Sequence, residues 1–315
     1  MTTEQSNNKK IMAVDSHALI HRAYHALPPL KSDEGEVVNA VYGFLLVFFK
    51  AIKDLRPEYI VAAFDLPEPT FRHEEFEDYK AQRPEAPEEL TQQIPKVKQM
   101  VKTFDIPVFE QEGFEADDVL GTLSGLVNEN HPDLEVIVVS GDLDTLQLVS
   151  EKTKVYTLKR GVKDTVIYDE EAVKERYDLN PDQIVDFKAL KGDSSDNIPG
   201  VPQVGKKRAS KLLKEFKTLE NLYEALDQEQ VTSVTDRIKE ILKENKEQAF
   251  FSKKLVTIRK DVPLDFDLQQ CKWNYNKEKV VEQLEKYNFH TLIDRLSELE
   301  SEPENDNETQ QGNLI

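Results

Sequence analysis

Residues 59–65 read YIVAAFD, an unbroken apolar run closed by an acid. A short apolar run of this kind describes a strand buried on both faces, the strand type of a parallel sheet. The pattern recurs outward from it. KIMAVD (10–15) also ends in an acid, EVIVVS (135–140) is followed at once by acids, and IPVFEQ (106–111) reads as a further strand. Helices separate them. VVNAVYGFLLVFFKAIK (37–53) is apolar enough to be buried on most faces, another helix runs through about Phe104, and a third spans about Glu115 to Asn128. Strands alternating with helices predict an α/β domain with a mostly parallel sheet covered on both faces.

After Asp169 the pattern turns helical. NPDQIVDFKALKG, a Gly/Pro turn and KKRASKLLKEF read as two helices joined by a tight loop, and longer helical stretches follow to about Leu299. A boundary near 175 is expected, between a sheet-bearing part (10–175) and a helical part (176–296). Residues 1–9 read as a disordered lead-in without the apolar core of a signal peptide, and 297–315 as a disordered acidic tail. No apolar run approaches the ~18 residues that span a bilayer. A single cysteine, Cys271, excludes an intramolecular disulfide framework and a cysteine-rich zinc site, and a reducing cytoplasm is the expected location. The net charge of −19 argues at first against a polyanionic partner. Six of the acids fall in 297–315, leaving −13 on the rest, and a metal-bound carboxylate cluster would absorb part of that.

The acids themselves are the strongest chemical signal. In an open α/β sheet, ligands bind beyond the carboxyl ends of the strands. Asp15, Asp65 and Asp142 sit at or just past such ends, and Glu115, Asp117 and Asp118 open a helix after the third strand. Asp142 and Asp144 face one way if the backbone stays extended; Asp193 and Asp196 share a face if helical, as do Glu115 and Asp118. Nine carboxylates on one rim resist joint ionisation. Hard divalent cations resolve the conflict, and Mg²⁺ suits phosphodiester hydrolysis. The bland alternative is that these acids are caps and turn residues, with Asp144 capping TLQLV.

Two segments read as contacts for a polyanion. In GDSSDNIPGVPQVGKKRASKLL (192–213), Gly200, Pro202 and Gly205 make a tight loop before a helix whose start can bind phosphate, with Lys206, Lys207 and Arg208 adding charge. The polar stretch FRHEEFEDYKAQRPEAP (71–87) carries Arg72, Tyr79, Lys80 and Arg83, suited to gripping a phosphate and stacking on a base. It has little apolar surface, so it is expected to be mobile without a nucleic acid. The six histidines show no metal-binding spacing.

In order, VDSHALIHRAYHA, YGFLLVFFKAI, AAFD, FRHEEFEDYKAQRP, EGFEADDV, SGDLDTLQLV and FKALKGDSSDNIPGVPQVGKKRASKLL resemble the 5′-nuclease domain of bacterial DNA polymerase I, within the flap endonuclease and phage 5′-nuclease superfamily. The resemblance covers roughly residues 10–295. It implies a Rossmann-like (PIN-like) sheet and two or three Mg²⁺ ions, with Mn²⁺ as a substitute, held by Asp15, Asp65, Glu115, Asp117, Asp118, Asp142, Asp144, Asp193 and Asp196. It implies a helix–hairpin–helix-like element at 199–213, where Gly200, Val201, Gly205, Lys206, Lys207 and Arg208 meet duplex DNA and loop carbonyls hold a K⁺ ion. It implies a helical arch at about 70–90, in which Tyr79, Lys80 and Arg83 position the scissile phosphate, with Arg22 nearby and Arg72 among the DNA contacts. The chain departs from the family pattern at Ser16, Leu143 and Arg208.

The expected activity is that of a stand-alone 5′→3′ exonuclease and flap endonuclease in replication and repair, a monomer acting on DNA with a 5′ flap, nick or branched junction, and on RNA–DNA primers, beside a separate DNA polymerase and away from membranes. A ribonuclease of PIN-like fold and a non-catalytic DNA-junction binding protein are the rivals. The basic hairpin and long helical second half favour the DNA enzyme over the first, and the complete acid set favours it over the second.

Overall fold

The computed structural model describes residues 9–161 and 164–299; most of the lead-in and of the acidic tail lies outside them. Among the described residues, six strands, β1 (Lys9–Asp15), β2 (Tyr59–Ala63), β3 (Val108–Phe109), β4 (Leu134–Val139), β5 (Thr153–Arg160) and β6 (Asp164–Tyr168), form one sheet in the order β3-β2-β1-β4-β5-β6. All neighbouring pairs are parallel except β5 with β6. The last two strands escape a sequence reading because Lys154, Lys159 and Arg160 break the apolar run of an edge hairpin. The third strand is shorter than expected, two residues in place of six.

The side-chain period of two sorts the central strands onto two cores. Met12, Val14, Ile60, Ala62, Ile137 and Val139 enter one core, while Ile11, Ala13, Val61, Ala63, Val136 and Val138 enter the other. The first core is closed by α1 (Ser16–Ala26), α2 (Asn39–Leu55) and α5 (Ile94–Thr103), the second by α6 (Ala116–Asn130) and α7 (Glu170–Tyr177). Two short helices, α3 (Phe71–Glu75) and α4 (Glu88–Thr91), precede α5. Apolar α2 buries nearly its whole circumference, which explains why it reads as a core helix. Among the described residues no helix is long and apolar enough to cross a membrane.

A third core belongs to α8 (Ile184–Lys191), α9 (Lys206–Phe216), α10 (Leu219–Asp227), α11 (Asp236–Glu244) and α12 (Lys246–Val256). The chain then turns back. Val280 and Leu284 of α13 (Lys277–Lys286) and Leu292 and Leu296 of α14 (His290–Glu298) complete the first core of the sheet. The helical part of the sequence is therefore divided, contrary to the expectation of one helical region from 176 to 296.

Between α8 and α9 the hairpin is built around glycine. Gly200 has φ +62° beside Gly192 at φ +78°, and a Cβ on Gly200 would stand 2.2 Å from the Gly192 nitrogen. The close approach lets Val201 N–H donate to Leu190 O and lets Gln248 Nε2 donate to the Gly200 carbonyl. Gly200→Ala should cost on the order of 1–3 kcal/mol in urea unfolding, because backbone must move on both sides. Wild-type stability in that variant would show that the hairpin opens freely.

Candidate active site

β1 is flanked by β2 on one side and β4 on the other, so the chain order reverses at β1 and leaves a crevice at the carboxyl ends of the strands. A cleft of about 590 Å³ opens there, lined by Asp15, Asp65, Glu115, Asp117 and Asp142 together with Arg22, Lys80 and Arg83. Ser140, at the end of β4, ties two of the acids together. Its hydroxyl donates to Asp15 Oδ2 (2.6 Å) and accepts the Asp142 N–H (2.9 Å).

The acids are placed by helix starts. Asp15 caps α1 by accepting the Ala18 N–H, Asp142 accepts the Asp144 N–H at the start of a 3-10 turn, and Glu115 caps α6. Here the bland reading and the functional one coincide, except that the cap of TLQLV is Asp142 rather than Asp144. Residues 143–148 are 3-10 rather than extended, so Asp142 and Asp144 do not share a face by strand alternation. Asp144 pairs with Lys188, which also binds Asp193 at 2.5 Å. Asp193 and Asp196 lie in a turn closed by the Asp193–Ile198 bridge, not in a helix. Asp196 accepts from Arg83 Nη2 at 2.5 Å and from Tyr79 Oη at 3.4 Å.

Asp118 departs furthest from the expected ligand set. It is fully buried, and both its oxygens are taken by Arg72, at 2.7 and 2.8 Å, with the Arg259 and Glu115 N–H groups also donating. Arg72 is 2% exposed and also donates to the Leu255 and Thr257 carbonyls. It is no surface contact for DNA; its guanidinium is spent inside. Burial opposes its charge, but its hydrogen bonds to Asp118 and the field of Asp117 raise its pKa further.

No continuous helix spans 70–90, the segment expected to form an arch, and its first part makes fixed contacts in this structure. Tyr79 is 3% exposed and packs with Ile198, Leu255 and Val256. Lys80 N–H donates to Asp196 O, Lys80 Nζ pairs with Glu115 at 2.7 Å, and Arg83 Nε donates to Ser195 O. The anchors are Arg72, Phe76 and Tyr79, too few to make a periodic stripe. Lys80 holds φ +56°, a left-handed conformation that is costly for a residue with a Cβ and that these contacts maintain.

Arg22 lines the cleft while donating to the Leu158 and Lys159 carbonyls of β5. In the hairpin, Val201 is buried, and the Gly200 N–H donates to Ser252 Oγ, so both shape the loop. Gly205 caps α9 without a side-chain acceptor, and Lys206, Lys207 and Arg208 are exposed on its first turn. Three residues at the site were not anticipated. Lys188 bridges two acids, Ser140 orients two more, and His17 accepts the Asp65 N–H at 3.0 Å. His17, His21 and His25 recur every four residues along the cleft face of α1; that interval was the available signal.

The electrostatics show which charges lack a partner. Burial, then Asp65 and Asp142, push the Asp15 carboxyl up to about 7 against the Ser140 hydrogen bond. Burial and Asp142 bring Asp144 to about 7 despite Lys188. Asp117 is raised well above the carboxylate range by burial and by Asp118, and its Oδ1 is buried with no hydrogen-bond partner. Glu115 goes the other way: burial opposes it, but Lys80 and Arg72 hold it low. Asp193 falls to about 2, where Lys188 and Ser195 outweigh burial. Among the described residues no three His, Cys, Asp or Glu side chains close into a chelating group. The all-oxygen donor set, the orphaned Asp117 oxygen and the raised carboxyls nevertheless fit hard cations that keep part of their water shell.

Two family models match the chain: "5'-3' exonuclease, N-terminal resolvase-like domain" over residues 10–178, and "5'-3' exonuclease, C-terminal SAM fold" over 179–279. DNA polymerase I of Bacillus subtilis (strain 168) is 42% identical over 302 residues, covering 96% of this chain and 34% of that protein. DNA polymerase I of Bacillus caldotenax is 40% identical over 297 residues, covering 94% and 33%. The chain thus spans about a third of the length of these curated relatives. Among solved structures, the T5 D15 protein co-crystallised with metal ions has a TM-score of 0.64 at 19% identity, covering 93% of this chain and 100% of that one. The catalytic core of Rad2 in complex with DNA substrate has 0.61 at 18%, covering 93% of each. At these identities the likeness is one of fold.

Removing Arg72 would leave Asp118 charged and buried. Arg72→Ala should lower unfolding stability by about 3–5 kcal/mol, measured in urea. A stable variant whose only defect is a lower salt slope for DNA binding would restore Arg72 as a phosphate contact.

Proposed function

The chain belongs to the 5′-3′ exonuclease family, and from that premise we propose that it is a structure-specific DNA nuclease that hydrolyses phosphodiester bonds near a 5′ end, at flaps, nicks and branched junctions, with Mg²⁺ or Mn²⁺. The observation that carries this reading is the switch-point cleft itself, where five acids outnumber their counter-charges and three basic side chains line the same wall. Its work beside a DNA polymerase in replication and repair, and its action on RNA–DNA primers, belong to the same proposal.

Asp15, Asp65, Glu115, Asp117 and Asp142 would hold one divalent ion, and Asp144, Asp193 and Asp196 a second, supplying charge to the attacking and leaving oxygens and lowering the pKa of water. The protein's own residues do the rest. Ser140 and His17 fix the orientation of Asp15, Asp142 and the Asp65 backbone. Asp118, through Arg72, sets where α6 begins and so where Glu115 and Asp117 stand. Lys80 and Arg83 are held on Glu115 and Asp196 at the edge of the cleft, ready to exchange a carboxylate for the scissile phosphate. Charge delivered to the phosphate as it reacts stabilises the transition state over the ground state. The exposed start of α9, with Lys206, Lys207 and Arg208, would grip the duplex backbone, and the Gly200 and Val201 carbonyls, which accept from Gln248 and the Val204 N–H, would offer their second lone pairs to a K⁺ ion.

Cleavage should vanish in excess EDTA. Because Asp15 and Asp144 titrate near 7 without metal, protons compete below that pH and are absent above it. The Mg²⁺ concentration for half-maximal cleavage of a 5′-flap substrate should therefore fall as pH rises from about 6 to about 8. Activity in EDTA, or a metal requirement flat with pH, would remove the proposed metal site.

Lys80→Ala should lower the single-turnover rate on a 5′ flap by about 10²–10³ while changing affinity little. A collapse of affinity with the rate at saturation intact would make Lys80 a binding residue instead.

A further inference from the structure

A second, strongly basic groove of about 520 Å³ lies between the end of α7 and the exposed face of α9. Arg176, Lys206, Lys207, Lys211 and Lys214 line it against one acid, Asp178. In a chain of net charge −19 this is a local reversal of sign. The sequence KKRASKLLKEF produces it directly. Ala209, Leu212 and Leu213 turn into the helical core, which forces Lys207, Lys211 and Lys214, at i, i+4 and i+7, onto one exposed side. Tyr177 backs the groove, its ring lying under Lys206 at 5.9 Å and under Arg176 at 5.6 Å.

The dimensions suit one chemical class. At ~1.5 Å per residue the row from Lys207 to Lys214 is about 10 Å long. A duplex presents one phosphate per strand every ~3.4 Å of axis, so the row matches about three phosphates. It begins at Lys206 and Lys207, where the hairpin contacts end, and leads away from the loop along α9. Three of its cations have internal partners: Arg176 donates to Tyr168 Oη, Lys211 donates to the Ser233 carbonyl, and Lys214 pairs with Asp178, itself fixed at the left-handed end of α7.

We propose that this groove is a second phosphate-binding track, which carries the backbone of the duplex arm beyond the hairpin, with Asp178 as the acid that a bound phosphate displaces from Lys214. The inference rests on the DNA reading above and adds Arg176, Lys211 and Lys214 to the residues that hold the substrate. Asp178 tunes the track, since its charge opposes the same phosphate that its partner attracts.

The test measures binding of 5′-flap DNA in EDTA across a range of salt, using one substrate whose hairpin-held duplex arm is short and one longer by a helical turn. Neutralising each phosphate contributes a slope of about 0.9 in log affinity against log salt. The combined Arg176→Gln, Lys211→Gln and Lys214→Gln variant should lose about 2.7 of slope on the long arm and little on the short one. Asp178→Asn should tighten long-arm binding. An unchanged long-arm slope in a triple variant that melts like the wild type overturns the proposal, as does an equal loss on both arms. Cleavage of the same flap by wild type in Mg²⁺ is scored separately. Cleavage with an unaltered slope refutes the track alone, whereas a changed slope without cleavage refutes the nuclease reading and leaves the track standing.

Discussion

Like charges crowded at the end of a buried sheet are the constraint on which the rest of this structure depends. Asp15, Asp117 and Asp144 are already pushed toward neutrality by burial and by one another. Elsewhere on the rim a cation has been brought to the acid, and Glu115 and Asp193 are held low by it. Lys80 and Arg72 come to Glu115, Lys188 to Asp193, and Arg83 to Asp196. Each of these cations belongs to a different element from the acid it serves. The 71–83 segment, α8 and the turn at 193–198 are thereby drawn onto the rim by electrostatics as much as by apolar contact. This is why a polar stretch with few apolar residues is folded here.

The same pairs explain how the second, helical part is aligned with the sheet. Arg72 reaches from α3 to Asp118 on α6 and to the carbonyls of Leu255 and Thr257 at the end of α12. Lys188 on α8 reaches Asp144 beyond β4. Buried ion pairs of this kind contribute little net stability against an apolar alternative, but they are intolerant of misplacement, because a half-formed pair leaves a buried charge. They therefore act as registers. The arrangement of sheet and helices is specified where the acids are, and apolar packing supplies the stability elsewhere.

Much of this was legible in the sequence. YIVAAFD, KIMAVD and EVIVVS fall where β2, β1 and β4 lie, since a doubly covered strand must be apolar on both faces and so leaves an unambiguous run. The hairpin was legible through Gly200 and Gly205. What stayed hidden was of two kinds. β5 and β6 form an edge pair, and in the sequence Lys154, Lys159 and Arg160 interrupt the apolar run of β5. Direction was also hidden. Spacing places Glu115 and Asp118 on one side of a helix, yet one is a cap facing the cleft and the other a buried anchor for Arg72. Nothing in residue type separates an arginine that meets solvent from one that is sealed inside. That distinction depends on a partner 46 positions away.

A net charge of −19 and a polyanionic substrate are compatible once the charges are mapped rather than summed. Screening confines surface charge to about a Debye length, ~8–10 Å at physiological salt, so a phosphate responds to its nearest side chains and not to the whole molecule. Acids gathered in the cleft sit beside Arg22, Lys80 and Arg83, Asp144 and Asp193 share Lys188, and the hard cations of the proposed site would neutralise what those leave over. The start of α9 and the groove beside it carry the opposite sign and face solvent. The segregation has a consequence for the proposed reading: a duplex would be drawn to the helical part and resisted by the acids of the cleft, and the cations proposed there would reverse that potential.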